Sequence, residues 1–62
     1  MPVITIDIST MTTEKKAELV KELTVKASEV TKIPEDKFTV LINEFPRENI
    51  GIGGKLLSEI MK

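Results

Sequence analysis

The side-chain types in this sequence leave few groups that could carry out chemistry. The 62 residues include no histidine and no cysteine, which excludes Ser-His-Asp and Cys-His catalytic sites, Cys-x-x-Cys motifs and His-Glu-x-x-His zinc sites. Ten carboxylates, the lysines and the terminal amine remain for proton transfer. The carboxylates form no cluster with metal-ligand spacing, and the adjacent Glu35 and Asp36 belong to a turn. We therefore expect neither a metal nor a cofactor.

Pro2 is the residue with the clearest chemical role. A side chain as small as that of proline normally permits removal of the initiator Met1, which leaves a secondary amine that is a competent base or nucleophile. If this amine lies among the side chains of Val3, Ile50 and Ile52, desolvation lowers its pKa, and each pKa unit represents about 1.4 kcal/mol. Under that condition, a neutral amine near pH 7 is plausible. Taken alone, however, a proline in this position is more often a coincidence than a catalytic group.

Two strands and one helix must position this amine. Residues 3–8 alternate between apolar and mixed side chains, which predicts a half-buried strand. Thr12 can cap a helix over residues 13–32, which must end before Pro34. The apolar stripe of this helix consists of Leu19, Val20, Leu23, Ala27 and Val30. Residues 38–44 are β-rich and almost continuously apolar at their centre, which predicts a buried second strand.

The order strand, helix, strand predicts the fold class. It is typical of a right-handed βαβ unit with parallel strands, here an α/β (α+β) subunit that occupies residues 1–62 as a single domain. The glycine-rich residues 51–54 lack the spacing of a phosphate-binding loop and predict a short edge hairpin, and residues 55–62 predict a terminal helical turn. One helix covers only one face of a sheet, so we expect the other face to meet another subunit.

Composition limits the partners of the chain. Nine basic and ten acidic residues give a net charge of -1, and only two side chains are aromatic, so neither a basic stripe nor a stacking platform is available for nucleic acid. No segment approaches the roughly 20 apolar residues of a membrane span, and the first residues lack the basic start of a signal peptide. We expect a cytoplasmic homo-oligomer that acts on a small molecule.

Three segments carry a resemblance to a known family. They are Pro-Val-Ile-Thr-Ile at 2–6, Phe-Thr-Val-Leu-Ile-Asn-Glu at 38–44 and Asn-Ile-Gly-Ile-Gly-Gly-Lys at 49–55. Together with the length of the chain, they resemble the 4-oxalocrotonate tautomerase family from end to end. The resemblance implies a homohexamer built as a trimer of dimers and a cofactor-independent conversion of enol to keto isomers. It also implies that Pro2 shuttles a proton between carbon and oxygen positions of an unsaturated dicarboxylate.

The sequence departs from this family where the substrate binds. The arginine that the family carries before the helix falls at about Met11, its second arginine falls on Thr39, and its aromatic residue in the tail falls on Ile50. Losing one such electrostatic donor can cost roughly 10² to 10³ in rate, so we expect weak activity on dicarboxylates. Arg47 is the only arginine of the chain. It either replaces the missing arginines by binding the substrate of a neighbouring subunit, or it is an ordinary surface residue.

The resulting hypothesis is a tautomerase in which Pro2 is the base and a pocket of Ile50 and Ile52 lowers its pKa. Thr39 or Arg47 would contact the oxygen of the substrate. Two alternatives stay open at this point. The amine of Pro2 could instead add water to an unsaturated acid or form an iminium with it, or the chain could be a non-catalytic oligomer that keeps the fold without the two arginines.

Overall fold

A βαβ unit followed by a short hairpin makes up the chain. The structure is a computed structural model that describes residues 1–61. In chain order its elements are β1 (Val3–Ser9), α1 (Thr13–Thr31), β2 (Thr39–Phe45), β3 (Gly51–Ile52), β4 (Lys55–Leu56) and α2 (Leu57–Ile60). Short 3-10 helices at Glu35–Lys37 and Arg47–Asn49 precede and follow β2. The predicted order of elements is confirmed.

Strands β1 and β2 pair in parallel, as the sequence predicts. Their register runs from Val3 opposite Thr39 to Ser9 opposite Phe45. The second strand begins one residue later than predicted, because the N–H of Phe38 donates to the carbonyl of Glu35 at 3.1 Å and closes the preceding turn. The N–H of Phe38 is thus occupied before the strand begins.

Both ends of α1 follow from local sequence. The hydroxyl of Thr12 accepts a hydrogen bond from the N–H of Lys15 at 3.2 Å, which satisfies one of the free donors at the start of the helix. Lys32 adopts a left-handed conformation (φ 65°) and donates its N–H to the carbonyl of Ser28 at 2.8 Å. This residue ends the helix two positions before Pro34, in agreement with the predicted boundary.

The helix covers only one face of the two-stranded sheet. Exposure alternates along both strands, and the half-buried face consists of Ile4, Ile6, Ile8, Val40, Ile42 and Glu44. Within one chain the second strand is half-buried, because Leu41 on the open face is 50% exposed, so burial of its second face stays a prediction about the oligomer. Within residues 1–61 no side chain is fully buried. One helix therefore leaves half of this sheet in contact with solvent.

Val30 is a second correction. It was predicted to belong to the apolar stripe of α1, but its side chain is 69% exposed. A helix of 19 residues is about 28 Å long, whereas a strand of seven residues is about 23 Å long. The last turn of α1 consequently extends past the sheet, and the side chain of Val30 is left exposed.

The C-terminal segment turns back in a glycine-dependent hairpin. Gly51 pairs with Leu56 and Ile52 with Lys55 in antiparallel register, which confirms the predicted hairpin. Gly53 and Gly54 form its turn with φ of 61° and 86°. Residues with a Cβ adopt this left-handed backbone region only at an energetic cost. The predicted terminal helical turn is confirmed as α2, and Lys62, which the prediction included, lies outside the described residues.

The single chain is too extended to be a compact domain. Its radius of gyration is 14.9 Å, and its principal extents are 43 × 23 × 15 Å. A compact domain of this length would have a radius of roughly 10.6 Å. Several large apolar side chains are also exposed: Val3, Leu41, Phe45, Ile52, Leu56, Ile60 and Met61. Such surface in a chain without a core indicates association with further subunits.

One ion pair ties the start of the helix to the end of β2. The Lys16 ammonium lies 2.5 Å from one carboxylate oxygen of Glu44, and the N–H of Met11 donates to the other at 2.9 Å. The hydrogen bond from Lys16, followed by that from Met11, lowers the pKa of Glu44 below its usual value. The charged form of Glu44 is therefore favoured by folding.

The open sheet face should mediate association. Leu41→Lys places a charge in the middle of this face, and we expect the variant to sediment as a smaller species than the unsubstituted protein. At micromolar concentration the unsubstituted protein should sediment with a mass several times 6.9 kDa. Val30→Lys adds the same charge at an exposed apolar side chain of α1 and should leave the mass unchanged. A stable folded monomer of the unsubstituted chain would contradict this prediction.

The carboxylate of Glu44 should make stability depend on pH. Because its folded pKa lies below the usual 4.5, its contribution is complete above that pH and is lost as pH falls through the folded pKa. Glu44→Gln should lower the denaturation midpoint at neutral pH, and the difference from the unsubstituted protein should shrink in acid. Urea unfolding at fixed protein concentration measures this. Glu22→Gln, at an exposed position on α1, is the control and should change the midpoint little; a Glu44→Gln deficit that persisted in acid would refute the explanation.

Candidate active site

The structure places Pro2 directly beside the start of β2. The carbonyl of Pro2 accepts a hydrogen bond from the N–H of Thr39 at 3.0 Å, so the first residues of both parallel strands meet at one edge of the sheet. The side chain of Met1 is 94% exposed and makes little packing contact. Removal of Met1 would expose the nitrogen of Pro2 without disturbing the strand behind it.

An open cleft of about 470 Å³ surrounds Pro2. It is lined by Met1, Pro2, Ile33, Asp36, Lys37, Phe38 and Thr39. Ile33 and Phe38 form its half-buried apolar wall, while Asp36 and Lys37 bring one charge of each sign. Of the predicted site residues, only Pro2 and Thr39 belong to this cleft.

Sequence reasoning missed four lining residues, Ile33, Asp36, Lys37 and Phe38. A signal for them was present in the predicted topology. In a parallel pair, the segment that enters the second strand lies at the same edge as the segment that enters the first. The turn before Thr39 must therefore lie beside Pro2, and its side chains were candidates on that ground alone.

Met11 lies at the opposite edge of the sheet. Its N–H donates to the carboxylate of Glu44, near the end of β2, and its side chain is half-buried. It lines an apolar cleft of about 370 Å³ together with Ile8, Lys15, Glu18, Leu19 and Glu22. The strands are about 23 Å long, so Met11 and Pro2 of one chain are too far apart to hold the same small molecule.

Arg47, Ile50 and Ile52 also lie away from Pro2 in the same chain. The guanidinium of Arg47 donates to the carbonyl of Met61 at 3.0 Å. Ile50 lines a cleft of about 390 Å³ with Asp7, Ile8, Ser9, Phe45 and Leu57, at the far ends of the strands. Ile52 is 57% exposed in the hairpin and does not line the cleft around Pro2. The predicted pocket of Ile50 and Ile52 around Pro2 is thus not formed within one chain.

Two further observations concern the described residues alone. Among residues 1–61, no group of three or more His, Cys, Asp or Glu side chains is placed to hold a metal ion. In the same residues, neither helix is both long and apolar enough to cross a membrane.

Comparisons with known proteins cover nearly the whole chain. A family model described as tautomerase enzyme matches residues 2–60. A protein of Bacillus cereus named probable tautomerase is 35% identical over 60 residues, which are 95% of this chain and 98% of the relative. The crystal structure of DmpI from Archaeoglobus fulgidus is 38% identical, with a TM-score of 0.83 over 92% of this chain and 98% of its own.

A heterohexameric 4-oxalocrotonate tautomerase from Chloroflexus aurantiacus has the same fold. It is 28% identical to this chain, with a TM-score of 0.88 and coverage of 97% of this chain and 98% of its own. The family match begins at Pro2, the residue that the sequence singles out. Taken together, the matches support tautomerase activity, which is an isomerase activity. The chain belongs to the tautomerase family, in the group of the 4-oxalocrotonate tautomerases.

Proposed function

We propose that this protein interconverts the enol and keto forms of a small unsaturated carbonyl compound without a cofactor. In this proposal Met1 is removed and the secondary amine of Pro2 is the general base. The observation that carries the proposal is the position of Pro2, which lines an open cleft and follows a Met1 that is 94% exposed. No histidine or cysteine is available in the sequence to serve instead.

The proton moves between two atoms of the substrate. The neutral amine takes a proton from the enol oxygen as the carbonyl forms, and the resulting ammonium returns a proton to carbon, so the substrate is isomerised and the enzyme is unchanged. Once Met1 is removed, the apolar wall of Ile33 and Phe38 would disfavour the charged form of the Pro2 amine. Thr39 lines the same cleft. In this proposal its hydroxyl donates a hydrogen bond to the oxygen of the substrate.

A second subunit would complete this site. Met11, Arg47, Ile50 and Ile52 lie away from Pro2 in their own chain, so they can contact its substrate only from a neighbouring copy. The exposed apolar sheet face and the extended shape of the chain support such an assembly. We extend this to a homohexamer arranged as a trimer of dimers, in keeping with the relative from Chloroflexus aurantiacus, which is a heterohexamer. A cytoplasmic location stays a prediction.

Unsaturated dicarboxylates should be poor substrates. Met11 and Thr39 bring no charge to the positions where the resembling enzymes carry arginine, and Arg47 donates to Met61 within its own chain. A substrate with fewer carboxylates fits the charges present in the cleft better.

The two rival hypotheses differ in their products and in the processing of Met1. Water addition would change the mass of the substrate, and an iminium adduct would change the mass of the protein. A non-catalytic relative would retain Met1 without consequence.

Pro2 should be required for catalysis but not for assembly. Pro2→Ala leaves a primary amine in a looser position, and positioned acid–base catalysis contributes about 10² to 10⁴ in rate, so we expect a fall of that order. Ketonisation of the enol of phenylpyruvate, followed by absorbance, measures it. Intact mass should show that Met1 is absent from the active protein, and sedimentation should show an unchanged oligomer.

The pH profile of the same reaction should report the amine. Only the neutral form is a base, so the rate should rise with pH and level off above an inflection near or below neutral pH. A protein that retains Met1 has an amide nitrogen at Pro2 and should be inactive. Full activity in both the Pro2→Ala protein and the Met1-retaining protein would show that the terminal amine is not the base.

A charge at Thr39 should extend the substrate range. Thr39→Arg restores a guanidinium at the start of β2, within the cleft that contains Pro2, and should raise kcat/KM on 2-hydroxymuconate by up to roughly 10² to 10³. Thr39→Gln, of similar reach but without charge, is the matched control and should give little gain. An unsubstituted protein that already turns over this dicarboxylate efficiently would contradict the prediction and would assign the role to another cation.

A further inference from the structure

The cleft around Pro2 contains one cationic side chain, Lys37, which the resemblance to the family does not predict. Lys37 ends the 3-10 helix before β2, where its N–H donates to the carbonyl of Pro34 at 3.1 Å. Its side chain is exposed and lines the same cleft as Pro2 and Thr39. Within residues 1–61 its ammonium forms no ion pair. This side chain is therefore free to bind an anion.

The other side chains of the cleft limit what that anion can be. Asp36 also lines the cleft and brings a negative charge that repels a second carboxylate. Ile33 and Phe38 provide a half-buried apolar wall that favours an apolar substituent. One cation, one anion and one apolar wall match a molecule with a single carboxylate at one end and an apolar group at the other.

We propose that Lys37 binds the carboxylate of a monoanionic substrate, the enol of a 2-keto acid that carries an apolar substituent. This inference rests on the proposed function and names the substrate class of the same site. The Lys37 ammonium holds the carboxylate, Thr39 faces the enol oxygen, and Ile33 and Phe38 contact the substituent. Lys37 thereby supplies a positive charge that binds a substrate carboxylate in a cleft where position 39 carries no arginine.

The chemistry predicts which kinetic constant depends on Lys37. The carboxylate of the substrate keeps its charge throughout ketonisation, because the proton moves between the enol oxygen and carbon. An interaction that is equally strong in the ground state and in the transition state lowers KM and leaves kcat unchanged. Lys37 therefore acts on substrate binding, whereas Pro2 acts on the chemical step.

The test compares two enols that differ only in the carboxylate, those of phenylpyruvate and of phenylacetaldehyde. Lys37→Met keeps the length of the side chain and removes its charge, and it should raise KM about tenfold for the first enol, equivalent to about 1.4 kcal/mol. KM for the second enol should not change. Lys37→Arg should restore KM for phenylpyruvate enol, and Lys21→Met, on the exposed side of α1, should alter neither substrate. Equal effects on both enols, or no effect on either, would overturn the assignment.

A binding measurement separates this inference from the proposed function. Cinnamate carries a phenyl group and one carboxylate but cannot enolise, so its affinity by calorimetry does not depend on catalysis. Lys37→Met should weaken cinnamate binding about tenfold, and Pro2→Ala should not. If cinnamate binding depends on Lys37 while Pro2 proves dispensable for turnover, the proposed function fails and the Lys37 site stands. If cinnamate does not bind, or binds the Lys37→Met protein equally well, the Lys37 site is wrong whatever the role of Pro2.

Discussion

The parallel pairing of β1 with β2 determines where every candidate functional residue lies. In a parallel pair, both strands begin at one edge of the sheet and end at the other. The hydrogen bond from Thr39 to Pro2 marks the first edge, and the register reaches Phe45 opposite Ser9 at the second. The turn that enters β2 is consequently a wall of the cleft at Pro2. The loops that follow the strands, including those of Met11 and Arg47, lie about 20 Å away.

The same topology explains why the chain does not form a closed domain. A single helix can shield one face of a two-stranded sheet, and the other face keeps Val3, Leu41 and Phe45 partly exposed. The hairpin follows the βαβ unit, and the chain measures 43 Å along its longest axis. Burial of the open sheet face and the hairpin between subunits would supply the apolar contacts that the chain lacks. It would also bring the far edge of one chain towards the Pro2 edge of another.

Charges have different roles at the two edges of the sheet. At the far edge, Glu44 binds Lys16 and the N–H of Met11, so its charge stabilises the connection between β1 and α1. At the Pro2 edge, Lys37 and Asp36 line the cleft and form no ion pairs with residues 1–61. The charge of Glu44 is already paired within the chain and has a structural role. The ammonium of Lys37 has no ion pair with residues 1–61 and lines the cleft of the candidate base, so it is available to a ligand. This contrast is the reason to look for substrate recognition in the turn before β2.

The sequence by itself determined the elements, their order and the candidate base. Strand alternation, the Thr12 cap, Pro34 and the glycine-rich turn act over a few residues, so α1, both main strands and the hairpin could be predicted within a residue or two. The absence of histidine and cysteine, together with a proline after the initiator, singled out Pro2. Tertiary structure decided the exposure of Leu41 and Val30, because exposure depends on how much sheet one helix covers. It also decided which side chains share a cleft, since Lys37 meets Pro2 only through the parallel register of two strands more than thirty residues apart.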